Sequence, residues 1–182
     1  MKKIKLLIIA ALVMLTSFTV KAQEMSFEQM IPVRVLMPVN NQVKGDALTV
    51  LYNRLNQAVT LNGLGSSTNE SRFLIVTSVT VLSNEATASV PVQYMAEVEV
   101  AVYFVDNFNK IILSQEMITK KGMDSTEDSA IGKAIKQIQA RDPKLKKLIK
   151  IGKDRAVQYY QATEGQEEKN AGDPDVSWIF EQ

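Results

Sequence analysis

The stretch Tyr94-Met95-Ala96-Glu97-Val98-Glu99-Val100-Ala101-Val102-Tyr103-Phe104-Val105 decides the fold. Ala96, Val98, Val100, Val102 and Phe104 recur at every second position, with Glu97 and Glu99 between them near the start. A period of two sends alternate side chains to opposite faces of a strand, so one face is predicted to be core and part of the other wet. Asp106-Asn107-Phe108-Asn109 follows as an Asx-rich break, and Lys110 to Thr119 resumes a β-like run through Ile111, Ile112, Leu113, Met117 and Ile118. A break of that composition between two such runs predicts a hairpin turn.

Upstream, Arg72 to Leu82 is a β-branched run carrying Phe73, Ile75, Val76, Val79 and Val81, and it reads as another strand. Ser66 to Ser71 before it and Ser83 to Pro91 after it are small and polar and read as loops, with a continuing twisted edge as the alternative for the second. Ile31 to Val39 is a short apolar stretch bounded by Pro32 and Pro38. Proline cannot donate to a ladder, which predicts a strand with proline flanks or an extended edge segment.

Three stretches change to helical spacing. Leu48, Leu51, Tyr52, Leu55 and Val59 form a stripe that begins after Asp46, as N-cap, and stops near Leu61 at Gly63 and Gly65. Ala130, Ile131, Ala134, Ile135 and Ile138 form a second, for which Asp124 and Glu127 have capping-box spacing. Asp142-Pro143 opens a third with Leu145, Leu148, Ile149, Ala156, Tyr159 and Tyr160 on one face and Gly152 weakening its middle. The predicted fold is therefore α+β, a mainly antiparallel sheet of about four strands with three helices in the order β-α-β-β-β-α-α.

Around this core, Lys2, Lys3 and Lys5, the apolar run Leu6 to Met14 and Val20-Lys21-Ala22 have the layout of a secretory signal peptide over residues 1–22. The apolar run is too short for a membrane span, and no transmembrane segment is predicted in the mature chain. The domain is expected over residues 23–162. Residues 163–182, rich in Glu, Gly, Asn and Asp, are expected to be a flexible tail ending in the apolar cluster Val176-Ser177-Trp178-Ile179-Phe180. That cluster contains the single Trp and would dock on the domain or on a partner.

The 182 residues are 46% hydrophobic and 23% charged, with a formal net charge of +1, and they include neither His nor Cys. Disulfides, thiolate nucleophiles, imidazole-based triads and the usual zinc and copper ligand sets are thereby excluded. Loss of the leader removes four lysines and turns the balance to a net −3, which argues against nucleic acid as partner.

The run Asn53-Arg54-Leu55 and Gln57 to Gly65, then Ser71 to Val76, then Lys121-Gly122-Met123-Asp124 with Ala134 to Ile138 and Tyr159-Tyr160, resembles the N-terminal domain of uncharacterised secreted proteins from Bacteroidetes. In layout the chain is more distantly similar to the periplasmic α/β domains of the curli-secretion lipoprotein CsgG, the TolB amino-terminal domain and the penicillin-binding-protein activator LpoB. The resemblance implies binding to or assembly with envelope proteins, and it supplies no catalytic residues. The lipobox Cys that tethers CsgG and LpoB is missing.

Several motifs weigh toward structure. Asn62-Gly63-Leu64-Gly65 follows a helix instead of opening one, so it reads as a C-cap and not a phosphate loop. Lys120-Lys121-Gly122 would offer cations to an anion, but Asp124, Glu127 and Asp128 already complement that helix start. Glu97 and Glu99, roughly 7 Å apart by strand rise, read as solvated charges that keep an edge from aggregating and not as a glycosidase pair. Asp106, Asn107 and Asn109 read as a turn and not a calcium loop. Lys144, Lys146, Lys147, Lys150 and Lys153 read as the wet face of the third helix rather than a lipid-binding patch, and Tyr159 and Tyr160 as core and rim aromatics.

No catalytic, cofactor-binding or metal-binding residue is assigned, and no cofactor is expected. The expected function is a non-enzymatic interaction or assembly module, periplasmic or extracellular. Its partner would be an envelope or secreted protein, self-association included. The alternative is a small-molecule or glycan-binding module using the loops Gly63 to Ser71 and Ser83 to Gln93. A carboxylate-based hydrolase ranks last.

Overall fold

The computed structural model describes residues 31–38, 43, 45–66, 71–162 and 176–180. The leader at residues 1–22, the first residues of the expected domain and most of the tail lie outside the described residues. The elements run β1 (Pro32–Val35), α1 (Ala47–Leu61), β2 (Gly65–Ser66), β3 (Phe73–Ala86), β4 (Tyr94–Asp106), β5 (Ile111–Asp124), α2 (Glu127–Ile135), α3 (Pro143–Ala162) and a 3-10 turn at Ser177–Ile179. The order is the expected one with a two-residue strand added at Gly65–Ser66, where the composition predicts the start of a loop.

The sheet order is β2-β1-β3-β4-β5. β1 runs parallel to both β2 and β3, and the β3–β4 and β4–β5 pairs are antiparallel. β1 is thus an interior strand, not an edge, and Pro32 is tolerated because it is the first residue of the strand. β3 continues to Ala86, so Ser83 to Ala86, expected as loop, pairs with β4 instead. Small and polar residues are compatible with a strand where a neighbouring backbone supplies the ladder. β5 likewise extends through Lys120, Lys121 and Gly122 to Asp124.

Ala96, Val98, Val100, Val102 and Phe104 all face the helices and are buried, as the alternation requires. The stripes Leu51, Leu55 and Val59 on α1, Ala130 to Ile138 around α2 and Leu145, Leu148, Ile149 and Ala156 on α3 close over them in one core. The ends of the helices show which local signals act. Gly63, at φ +74°, ends α1 in a Schellman arrangement: Leu64 N donates to Val59 O at 3.2 Å and Gly63 N to Thr60 O at 3.0 Å. The cap of α2 is Thr126, whose hydroxyl accepts from Ser129 N at 3.2 Å, and not Asp124, which ends β5. Asp142 caps α3 by accepting from Lys144 N at 2.9 Å.

Gly152 has a role its helix propensity hides. A Cβ there would stand 2.5 Å from Cγ and 3.0 Å from Cβ of the buried Phe104. In an exposed helix Gly152→Ala would stabilise by about 1 kcal/mol. Here the overpacking is expected to win, for a net loss of about 1–3 kcal/mol. Urea titrations of the wild type and Gly152→Ala decide the sign, and stabilisation by alanine would refute this packing of α3 on β4.

Candidate interaction surface

A cleft of about 560 Å³ opens between the start of α1 and one side of α2, lined by Asp46, Asp124, Asp128, Ser129, Lys133 and Lys136 among others. Two of its three carboxylates are paired with its two lysines. Asp46 had been expected to cap α1, but it makes no side-chain cap bond and instead accepts from Lys136 Nζ at 2.8 Å. Asp124 accepts from Ser125 N at 2.7 Å and pairs with Lys133 at 3.2 Å. The Lys136 hydrogen bond and charge hold the Asp46 carboxyl below the ordinary carboxylate value. The Ser125 amide first, then Lys133, does the same for Asp124. Both are therefore ionised acceptors at neutral pH, the opposite of what a general acid needs.

A depressed carboxylate contributes stability that is full above its unfolded pKa and fades as pH falls through the lower folded pKa. The melting temperature lost on Asp46→Asn or Asp124→Asn should therefore be visible near pH 6 and shrink as pH falls below the ordinary carboxylate range. A deficit independent of pH would show that these pairs do not act as charges.

The structure disperses the other charged candidates. Lys120 pairs with Asp142 at 3.5 Å and Lys121 with Glu97 at 3.3 Å, so the two lysines line no common anion site. Glu97 and Glu99 lie on β4, one strand in from the edge, and not on an edge that they could guard. The edge strand β5 is protected by helix side chains: Lys144 Nζ donates to Met117 O at 2.6 Å, Arg155 to Leu113 O at 2.5 Å and Gln137 to Lys121 O at 2.6 Å. With Lys147 on Glu116 at 2.6 Å, the basic run of α3 is divided: Lys144 and Lys147 reach back to the sheet, while Lys146 and Lys150 remain exposed. Tyr159 is exposed, at the rim as expected.

Asp106 is buried and accepts on Oδ2 from Arg72 Nε at 3.0 Å and Nη2 at 2.7 Å. It also accepts from Phe108 N, Asn109 N and Asn109 Nδ2. Its oxygens are committed to a turn and a guanidinium, and among the described residues no three acidic side chains converge on a metal-sized site.

What remains is the sheet face that the helices leave open. The register places Met95 opposite Met123 and Glu97 opposite Lys121 on it. Beyond them the β3–β4 turn carries Val90, 99% exposed, and Val92, while Leu82 sits at the irregularity in β3. Met95 and Met123 are cross-strand neighbours at the end of the sheet that carries this turn, and Glu85, Glu99 and the Glu97–Lys121 pair stand on the same face. Isolated exposed apolar residues are ordinary, whereas neighbouring ones on an open face make a candidate contact surface. The alternation in β4 predicted a wet face. It did not disclose that Met95 and Met123 stand side by side, because two strands 28 residues apart in sequence bring them together.

Of the two loops of the glycan-binding alternative, Gly63 to Ser71 includes residues 67–70, which lie outside the described residues, and Ser83 to Ala86 of the other belong to β3. Among the described residues no helix is long and apolar enough to cross a membrane.

No family model matches the chain, and none of the curated proteins matches it. Solved structures similar to it include a minor lipoprotein from Acinetobacter baumannii, 12% identical over 69% of this chain and 94% of that one, with a TM-score of 0.44. Lipoprotein GNA1162 from Neisseria meningitidis is 9% identical over 72% and 99%, with a TM-score of 0.40. The PelC dodecamer from Paraburkholderia phytofirmans is 13% identical over 60% and 86%, with a TM-score of 0.37. At these scores the likeness is loose, and it carries no conclusion about chemistry.

Proposed function

We propose that the chain is an exported, non-enzymatic protein-docking module of the bacterial envelope, working in the periplasm or outside the cell through an α+β domain over residues 23–162. The observation that carries this reading is the exposure of the cross-strand neighbours Met95 and Met123 on the open sheet face, together with that of Leu82, Val90 and Val92 in and before the β3–β4 turn. The signal-peptide layout of residues 1–22 supports export, and the absence of imidazole and thiol from the sequence supports work by surface shape. Glu85 and Glu99 on that face favour a protein partner with Lys or Arg beside its apolar patch, and the net −3 left after loss of the leader disfavours nucleic acid.

A photoreactive residue placed at Val90 in the native host should crosslink to a defined protein. One placed at the exposed Lys150 of α3 should not. The partner so identified should bind the Val90→Asp/Met123→Asp variant at least about ten-fold more weakly, a loss typical of central contact residues. Identical products from both positions, or unchanged affinity of the folded variant, would overturn the reading.

A further inference from the structure

The open face has a second apolar region at its opposite end, and this one is filled. Leu74 and Val76 of β3 and Val105 of β4 form it, with Leu36, Tyr103 and Ile112 around them. Ile179 of the C-terminal 3-10 turn is buried against these residues, Phe180 meets Tyr103 edge-on at a centroid distance of 6.2 Å, and Lys110 Nζ stands 5.9 Å from the Trp178 ring. Two observations make this occupant a weakly held one. Trp178 Nε1 is buried without an acceptor among the described residues, while Phe180 remains 49% exposed. An unsatisfied buried donor is costly, and it offsets part of what Ile179 and the half-buried Val176 and Trp178 gain by packing on these residues. The 13 residues of sequence between Ala162 and Val176 include no large apolar side chain, so nothing in their composition anchors the turn a second time.

We infer that this region is a docking seat for a short segment carrying a branched aliphatic residue between two aromatics, and that Val176–Phe180 is its displaceable resident. The inference stands apart from the Met95 and Met123 surface, which lies at the other end of the face. The resident competes at the effective concentration of a tethered ligand, of millimolar order. A segment offered by a partner therefore succeeds by being tighter or by finding the resident detached.

The test uses the full chain. Trp178→Phe/Ile179→Asp removes the only Trp and the anchoring side chain, and a synthetic peptide of residues 175–182 then carries the sole indole. Its emission should shift to the blue with saturation, and binding to the wild-type chain should be at least about ten-fold weaker because its seat is occupied. Equal binding to both chains, or no shift at millimolar peptide with native far-UV circular dichroism, would overturn the inference. Should the variant fail to fold, wild-type Trp178 reports by itself: its emission should change at a lower urea midpoint than the far-UV signal, and coincident transitions would overturn the inference.

Discussion

Replacing Gly122 by alanine is expected to destabilise the protein by at least about 3 kcal/mol, a fall in melting temperature of roughly 10 °C for a domain of this size. Gly122 lies on β5 opposite Ala96 of β4, under α2. A Cβ there would fall within the contact radius of the Ala130 carbonyl oxygen and only 2.5 Å from the Ala134 amide nitrogen. These atoms are helix backbone, so no rotamer change can relieve the overlap and α2 has to move. Movement of α2 would pull Lys133 and Lys136 from Asp124 and Asp46 and draw Gln137 away from the Lys121 carbonyl. Gly65 provides the control, since a Cβ there meets nothing within 4 Å. Gly65→Ala should stay within about 0.5 kcal/mol of the wild type. A Gly122→Ala protein as stable as Gly65→Ala would contradict the close approach of α2 to the sheet.

Asp106→Ala is expected to cost about 3–5 kcal/mol, because it strips the partner from a guanidinium that stays largely buried. The Arg72 side chain is 9% exposed, and it lies 5.2 Å from the Phe73 ring centroid and 5.6 Å from that of Phe108. The same carboxylate organises the β4–β5 turn through the Phe108 and Asn109 amides, so its loss removes a turn as well as a charge. Arg72→Met alone should also be severe, because it leaves the carboxylate buried without its counter-ion. The double variant should then cost clearly less than the sum of the two single changes, the mark of a coupled pair. Chemical denaturation of the four proteins measures this directly, and additive losses would mean that the two side chains act independently.

Both residues show how the sequence misleads locally. Asp106 in an Asp-Asn-Phe-Asn run reads correctly as a turn, yet its counter-ion lies 34 positions upstream, at the start of another strand. Gly122 reads as a separator between strand and helix, whereas the chain continues through it as strand because β4 supplies the ladder. Gly152 reads as a weak point in α3 and is instead the position where the helix crosses Phe104. In each case the deciding atom belongs to a distant part of the chain, and a local pattern has no access to it.

The alternation of Ala96 to Phe104, the helical stripes, the glycine stop at Gly63 and the cap at Asp142 were legible in the sequence, because each follows from the geometry of a few consecutive residues and their own backbone. The placement of β1 inside the sheet, the guarding of β5 by helix side chains, the juxtaposition of Met95 with Met123 and the seating of Val176–Phe180 on the second face were decided by tertiary structure alone. Each depends on which segments meet after the chain has closed on itself, and side chains of the same period and polarity would serve either face until that closure selects one.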